Sequence, residues 1–387
     1  MTRTPLPATA TVVIIGGGVI GASIAFHLAE AGVDDVVLLE RAELGSGSTC
    51  KAAGGVRAQF SDELNIQLGA RSLEAFIRFP QRPGQEIDLH QVGYLFLLSS
   101  REDVSAFERD VKLQNALGVN SRMIDVAEAK KLSPLIDTDG LLAAAFSPDD
   151  GHCTPESVVL GYAVAARRLG ATLLTGTAVI GIDAHGEHAM TVVTDRGSIR
   201  AATVICAAGA WSRAIGEMVG VNLPVSPVRR QVMFTKPMPG LPAVVPFTID
   251  FASTFYFHRE GLGLLLGMSD PEQEPGFHLD YSDDWLPRLG AAIGHRAPEL
   301  LNVGLSKGWA GLYEDTPDHN ALIGRATASS NFLYATGFSG HGFLQAPAVG
   351  EVIRDLCLNR EPFIDVTPLS AQRFVSAAQA RPETHIV

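Results

Sequence analysis

Near residue 340 the sequence reads ATGFSGHGFLQAP, with Gly337, Gly340 and Gly342 spaced around Ser339 and His341. Glycine costs about 1 kcal/mol relative to alanine inside a helix. Glycines at this density imply that something must come close to the main chain. An apolar strand, Phe332 to Thr336, is expected to enter the turn, and an apolar-striped helix, Leu344 to Leu356, to leave it. A strand, a glycine turn and a helix N-terminus make a site for an anion or a carbonyl, because first-turn N–H groups have no helical partners.

The same arrangement opens the chain. In TVVIIGGGVIGASIAFHLAEAG, the β-branched run 11–15 predicts a buried parallel strand. Gly16, Gly18 and Gly21 follow as G-x-G-x-x-G. Next comes a predicted amphipathic helix with Ile24, Leu28 and Ala31 on one stripe, closed by Gly32. A second strand, VVLLE, ends in Glu40. Gly16 permits the tight turn, Gly18 the approach of a pyrophosphate, and Gly21 close packing of helix on strand. Glu40 would accept hydrogen bonds from a ribose, and its charge argues against a 2′-phosphate and so against NADP. Together these features predict dinucleotide binding. The following ELGSGST loop offers Ser46, Ser48 and Thr49 to a second face of the diphosphate, an enclosure that suits FAD better than an exchanging nicotinamide cofactor. In TVICAAGAWS a strand runs into Ala207, Ala208 and Gly209, a small-residue patch for a flat ligand.

The elements that must carry these motifs belong to an ordinary globular chain. Its 387 residues are 46% hydrophobic and 19% charged, which predicts two domains and a deep cavity. The net charge of −12 argues against nucleic acid or an anionic membrane as partner, and no apolar run is long enough to span a bilayer. Cys50, Cys153, Cys206 and Cys357 are widely spaced without a CxxC pair. They read as thiols of a reducing compartment, the cytoplasm, with no metal site.

The chain resembles the amine-oxidising flavoproteins of the D-amino-acid oxidase superfamily, nearest the branch of sarcosine oxidase, sarcosine and dimethylglycine dehydrogenases and glycine oxidase. The resembling stretches, in family order, are VVIIGGGVIGASIAFHLAEAG, GSGSTCKAAGGVRAQFS, VICAAGAWS, GWAGLYEDTPDHNALIG and ATGFSGHGFLQAPAVGE. The resemblance implies an α/β fold: a Rossmann-like FAD-binding domain interleaved with an α+β substrate domain that has a mixed or antiparallel sheet. Residues 1–85, 145–220 and 320–387 are assigned to the first domain, and 86–144 and 221–319 to the second. GYLFLL, RRQVMFT, STFYFH and GLLLGM read as strands of that second sheet, with helices over 101–117 and 283–294.

The implied reaction moves a hydride from the carbon beside a substrate nitrogen to flavin N5, leaving an imine that hydrolyses. The substrate is a small secondary or N-alkylated amino acid. The alternatives are a primary amino acid oxidase of the glycine or D-amino-acid type and a non-catalytic flavoprotein serving assembly of a larger complex. The acceptor is O2 or another electron carrier, and a partner subunit is compatible with the branch. Besides the residues already named, the resemblance places Arg41, Ala52, Gly54, Gly55, Val179, Trp211, Gly311, Phe343 and Leu344 around FAD. It places Arg57 beside the flavin or the substrate carboxylate, Tyr256 on the substrate pocket, and His341 near the flavin ring. Tyr256 and His258 are read as lying on alternate sides of a strand, so that only one faces the cofactor. Arg230 is read as an anchor of the roof.

Four departures accompany the resemblance. Gly311 and Lys51 occupy the two places where relatives attach FAD through a cysteine or a histidine, so FAD is expected to be held non-covalently. Leu344 stands where sarcosine oxidases carry a carboxylate-binding lysine. Leu265 stands where they carry a lysine that assists oxygen.

Overall fold

A computed structural model describes residues 4–184, 189–327, 330–375 and 382–386. Two sheets organise it. The first has the strand order Leu322–Arg325, Phe332–Thr336, Gly197–Cys206, Thr9–Ile15, Val36–Leu39 and Thr172–Leu174, with Met190–Thr194 and Val179–Ala184 joined through the long Gly197–Cys206 strand. The pairings of Thr9–Ile15 with both neighbours are parallel, as is that of Gly197–Cys206 with Phe332–Thr336. Val12 to Ile15 are buried, as a central parallel strand covered on both faces requires.

The helix Val19–Glu30 departs from the expected single stripe. Every residue from Val19 to Ala29 is buried, because the helices Pro155–Arg168 and Gly342–Cys357 flank it. A helix sheltered all round no longer needs a polar face. His27 inside it accordingly stays neutral, its pKa lowered to about 3, chiefly by burial.

The second sheet has the order Leu305–Asp315, Ser226–Thr235, Gly263–Met268, Phe255–Glu260, Phe247–Asp250, Tyr94–Leu98, Ala143–Ser147 and Arg122–Ile124. It is mixed: Phe247–Asp250 pairs parallel to Tyr94–Leu98, and the other pairings are antiparallel. The strand Ala143–Ser147 crosses the boundary expected at residues 144–145, because its partners Tyr94–Leu98 and Arg122–Ile124 belong to this sheet.

Side chains alternate strictly between the faces of the second sheet. Leu95, Leu97, Phe255, Phe257, Leu264 and Leu266 pack outward against Trp285, Leu289 and Ile293, around the helix Leu286–Arg296. Tyr94, Phe96, Val232, Phe247, Tyr256 and Leu265 form the inner cluster. Arg296 secures the covering helix from below. Its Nε donates to Asp250 at 2.9 Å and one Nη donates to Asp137 O at 2.8 Å, with both side chains of the ion pair 1% exposed.

Strand and helix meet most closely at the first glycine motif. Gly16 has φ +113°, and a Cβ built on Gly21 would overlap the Gly16 carbonyl oxygen. Gly21→Ala therefore forces helix Val19–Glu30 away from the sheet, at a cost of about 1–3 kcal/mol. A lowered unfolding midpoint and reduced flavin content after purification are expected; an unchanged midpoint would show that the contact relaxes freely.

Candidate functional site

The ends of the first sheet's parallel strands open into an elongated cavity of about 570 Å³, roofed by the inner face of the second sheet. At one end lie Glu40, Arg41, Thr177 and Val179, and at the other Arg57, Tyr94, Arg230, Phe247 and Tyr256. Gly16, Gly18, Ala208 and Gly209 line the cavity as a wall of small residues that fits a dinucleotide, while Gly16 also packs too tightly against Ala207 O to carry a Cβ.

Glu40, expected to face a ribose, also holds its own loop. One carboxylate oxygen accepts from Gly17 N at 2.7 Å and the other from Ala42 N at 2.8 Å, fixing the loop around it. The Thr49 hydroxyl oxygen accepts from Val19 N at 3.0 Å, so it caps the helix whose N-terminus points at the cavity. Ser46 and Ser48 line the cavity while their hydroxyls donate to Glu43 O and Leu312 O. At the mouth, the Arg41 guanidinium lies 3.9 Å over the Trp211 ring, which in turn stacks on Phe277.

Ala52, Gly54, Gly55, Gly311, Gly340, His341, Gly342, Phe343 and Leu344 all line the cavity. Gly337 does not. Its φ of +70° and the Thr316 and Leu322 side chains against it make it a packing glycine. Gly340, at φ +95°, is pressed against the Tyr313 ring. The dense glycines near residue 340 thus serve the protein's own aromatic wall as well as any ligand. Gly21 also lies outside the lining, between helix and strand.

Arg57 is 3% exposed. Its guanidinium donates to Gln59 O, to His385 O at 2.5 Å and to His341 Nε2 at 3.2 Å, and lies 4.2 Å over the Phe60 ring. Arginine has no acceptor, so His341 Nε2 must be a lone pair and the ring proton sits on Nδ1. Burial, reinforced by Arg57, lowers the His341 pKa to about 3. Among the described residues Arg57 forms no ion pair; Tyr94, Glu383 and Asp150 act on it only through longer-range electrostatics.

The alternation expected for Tyr256 and His258 is corrected. Residues two apart on a strand share a face, and both rings stack on Phe247, at 5.4 and 4.8 Å. They differ in position along the sheet. Tyr256 lines the cavity, whereas His258 lies beyond Phe247, against His152, with its ring nitrogens facing Arg259 O and Ala53 O. His258, His152 and Glu260 bring potential ligand atoms within 4.8 Å of one another, yet both His258 nitrogens are already engaged by carbonyls.

Two residues were missed or misread from the sequence. Glu314 is a buried carboxyl on the cavity wall, its pKa raised to about 7 by burial, and it accepts from Thr336 Oγ1 and Gly337 N. It clamps the glycine turn, and nothing in its spacing marks it. Arg230 lies inside a strand rather than before one, and it lines the cavity.

Comparison with known proteins agrees with this architecture. A profile of the family described as FAD dependent oxidoreductase matches residues 11–356. Mitochondrial dimethylglycine dehydrogenase of Rattus norvegicus is 31% identical over 94% of this chain and 45% of its own length. The chain thus spans less than half of that relative. The crystal structure of L-proline dehydrogenase from P. horikoshii has a TM-score of 0.90 at 34% identity, covering 96% of this chain and 99% of that one. Glycine oxidase from Geobacillus kaustophilus has a TM-score of 0.84 at 25% identity, covering 95% and 99%. By sequence profile, fold and cofactor cradle alike, the chain belongs to the FAD-dependent oxidoreductase family.

Proposed function

We propose that the protein oxidises the C–N bond of a small secondary or N-alkylated amino acid. The observation that carries this reading is the chemistry at the inner end of the cavity, where two arginines stand among Tyr94, Phe247, Tyr256 and Tyr313. Cations hold a carboxylate, and aromatic walls favour an uncharged or alkylated nitrogen over a strongly hydrated ammonium. Bound FAD supplies the acceptor for the hydride leaving the carbon beside that nitrogen. The residues do the rest. The glycine walls admit the ring system, Arg57 provides a fixed positive charge, and neutral His341 holds that charge in register. The L-proline and dimethylglycine relatives both act, by name, on amino acids whose nitrogen carries more than one carbon, which supports the same reading.

The test is anaerobic flavin reduction by a panel of amino acids. Bleaching by N-methyl or cyclic secondary amino acids supports the proposal. Bleaching by primary amino acids alone would make the protein a glycine- or D-amino-acid-type oxidase. No bleaching by any would leave a non-catalytic flavoprotein. The cytoplasm remains the proposed location, resting on four free cysteines; among the described residues no helix is long and apolar enough to cross a membrane.

FAD is proposed to be held without a covalent bond. Gly311 has no side chain, and a Cβ there would press on Lys51, itself an amine. Cys50 is outside the cavity lining, and burial raises its pKa to about 11. Acid precipitation is expected to leave the yellow chromophore in the supernatant; a peptide heavier by one FAD would contradict this.

Arg57→Ala removes a charge-assisted contact worth about 1.5–3 kcal/mol. Turnover or substrate affinity is expected to fall by one to two orders of magnitude, on about tenfold per 1.4 kcal/mol. Unchanged steady-state kinetics at normal flavin content would remove Arg57 from the site.

The electron acceptor is proposed to be a carrier or partner subunit rather than O2. Leu265 is 3% exposed within the inner aromatic cluster and outside the cavity lining, so its position lends the site no positive charge. Stopped-flow reoxidation of substrate-reduced protein should be slow with dissolved oxygen and fast with an artificial dye. Reoxidation by oxygen at a rate typical of efficient oxidases would make the protein an oxidase.

A further inference from the structure

The resemblance places the substrate's carboxylate anchor on the first turn of the helix after the glycine turn, where this chain has Leu344. That residue lines the cavity and is 6% exposed, so the wall there is apolar. A carboxylate entering the inner end of the cavity needs a cation elsewhere, and Arg57 and Arg230 stand there.

Arg57 is already committed. Its two terminal nitrogens donate to Gln59 O, His385 O and His341 Nε2, which hold the guanidinium in place from three sides. Arg230 is not. Of its five N–H donors, those on Nη1 supply the side chain's one hydrogen bond among the described residues, to Arg229 O at 3.2 Å, and Nε is buried with no partner there. Its ion pair with Asp315 is long, 4.0 Å from Nη2, beyond hydrogen-bond distance. Buried donors normally have partners, and a group left short of them beside a cavity invites a ligand that supplies acceptors.

The ladder explains how this side chain reaches the cavity. Arg230 and Val232 project from the same face of the strand Ser226–Thr235, and both line the cavity. The residue paired with Arg230 across the ladder is Gly311, which presents no side chain beside it. Two residues farther along that strand, the Tyr313 ring lies 5.0 Å beneath the guanidinium. A Cβ on Gly311 would meet Lys51, so it is that side chain, not Arg230, that the bare position accommodates.

We propose that Arg230, on the roof strand, is the carboxylate-binding residue of this cavity, with Tyr256 and Tyr313 beside it. Arg57 supplies the fixed charge and does not carry the carboxylate. This rests on the reading of the protein as an amino acid oxidoreductase and assigns the substrate's acid group to the roof rather than to the helix floor. A planar guanidinium with unused donors can take a carboxylate through two N–H groups, which a lysine cannot reproduce.

The experiment uses FAD-loaded protein and two carboxylates that cannot be oxidised, acetate and benzoate, followed by the perturbation of the flavin absorption spectrum. Wild type, Arg230→Met and Arg230→Lys are compared at equal flavin content. Loss of the contact should weaken carboxylate binding about 10- to 100-fold in Arg230→Met, with partial recovery in Arg230→Lys. With a substrate that bleaches the flavin, KM should rise by a similar factor while the limiting rate of flavin reduction changes little. The preference of wild type for N-methylglycine over dimethylamine, which lacks the carboxylate, should collapse in Arg230→Met.

Unchanged carboxylate affinity in Arg230→Met would overturn the proposal, as would a retained preference for N-methylglycine. If no amine reduces the wild-type flavin, the functional reading fails, while the acetate and benzoate titrations still decide the role of Arg230. If Arg230→Met loses flavin or fails to fold, Arg230→Lys and Arg230→Gln carry the same comparison, and normal carboxylate affinity in either would count against it.

Discussion

A buried guanidinium that forms no ion pair among the described residues sets the terms for the inner half of this molecule. Arg57 is held by two backbone carbonyls and a neutral imidazole, and burial lowers its pKa. Removing a charge from water is expensive unless hydrogen bonds and a partner compensate. The nearest hydrogen-bonding answers are dipoles, while Glu383 and Asp150 act on the guanidinium only from farther away. His341, kept neutral, adds no second charge beside it.

The second sheet turns this electrostatic demand into a chamber. Because its outer face is packed by helix Leu286–Arg296, its inner face can be spent on aromatic rings. Tyr94 and Phe247 stack at 4.4 Å with planes 6° apart, and Tyr256 continues the series, lying flat on Gly267. Burial raises the pKa of Tyr94 and Tyr256, so these phenols remain neutral walls. The aromatic layer and the glycine wall line the same cavity between the sheets.

Much of this was legible in the sequence where the signal is local. The strand 11–15, the G-x-G-x-x-G turn and Glu40 each need only short-range geometry, and the structure places Gly16, Gly18 and Glu40 on the cavity. Four strands of the second sheet, Tyr94–Leu98, Ser226–Thr235, Phe255–Glu260 and Gly263–Met268, were visible as short apolar runs. What was not legible depends on partners far along the chain. Gly337 looks like a ligand glycine but answers to Thr316 and Leu322, and Gly340 answers to Tyr313 as well as facing the cavity. The role of Glu314 exists only because Thr336 and Gly337 fold against it. Arg230 reaches the cavity on a strand whose place is fixed by pairing with Leu305–Asp315, which no single segment encodes. The error over Tyr256 and His258 was different in kind, since strand periodicity alone places them on one face.

The order of strands in the first sheet has a consequence for biogenesis. Thr9–Ile15 lies beside Gly197–Cys206, which lies beside Phe332–Thr336, so neighbours in space are made far apart in time on the ribosome. The cofactor cradle draws on residues near 16, 208 and 340, and Arg57 waits for the carbonyl of His385. An emerging N-terminal stretch can form the first strand, turn and helix, but that helix is buried almost all round in the finished fold and has nothing yet to cover it. Non-local pairing of this kind folds slowly and leaves apolar surface open in the interval. Supply of FAD during expression should therefore act late, by trapping the completed chain, and a flavin-starved cell should accumulate this protein in aggregated form.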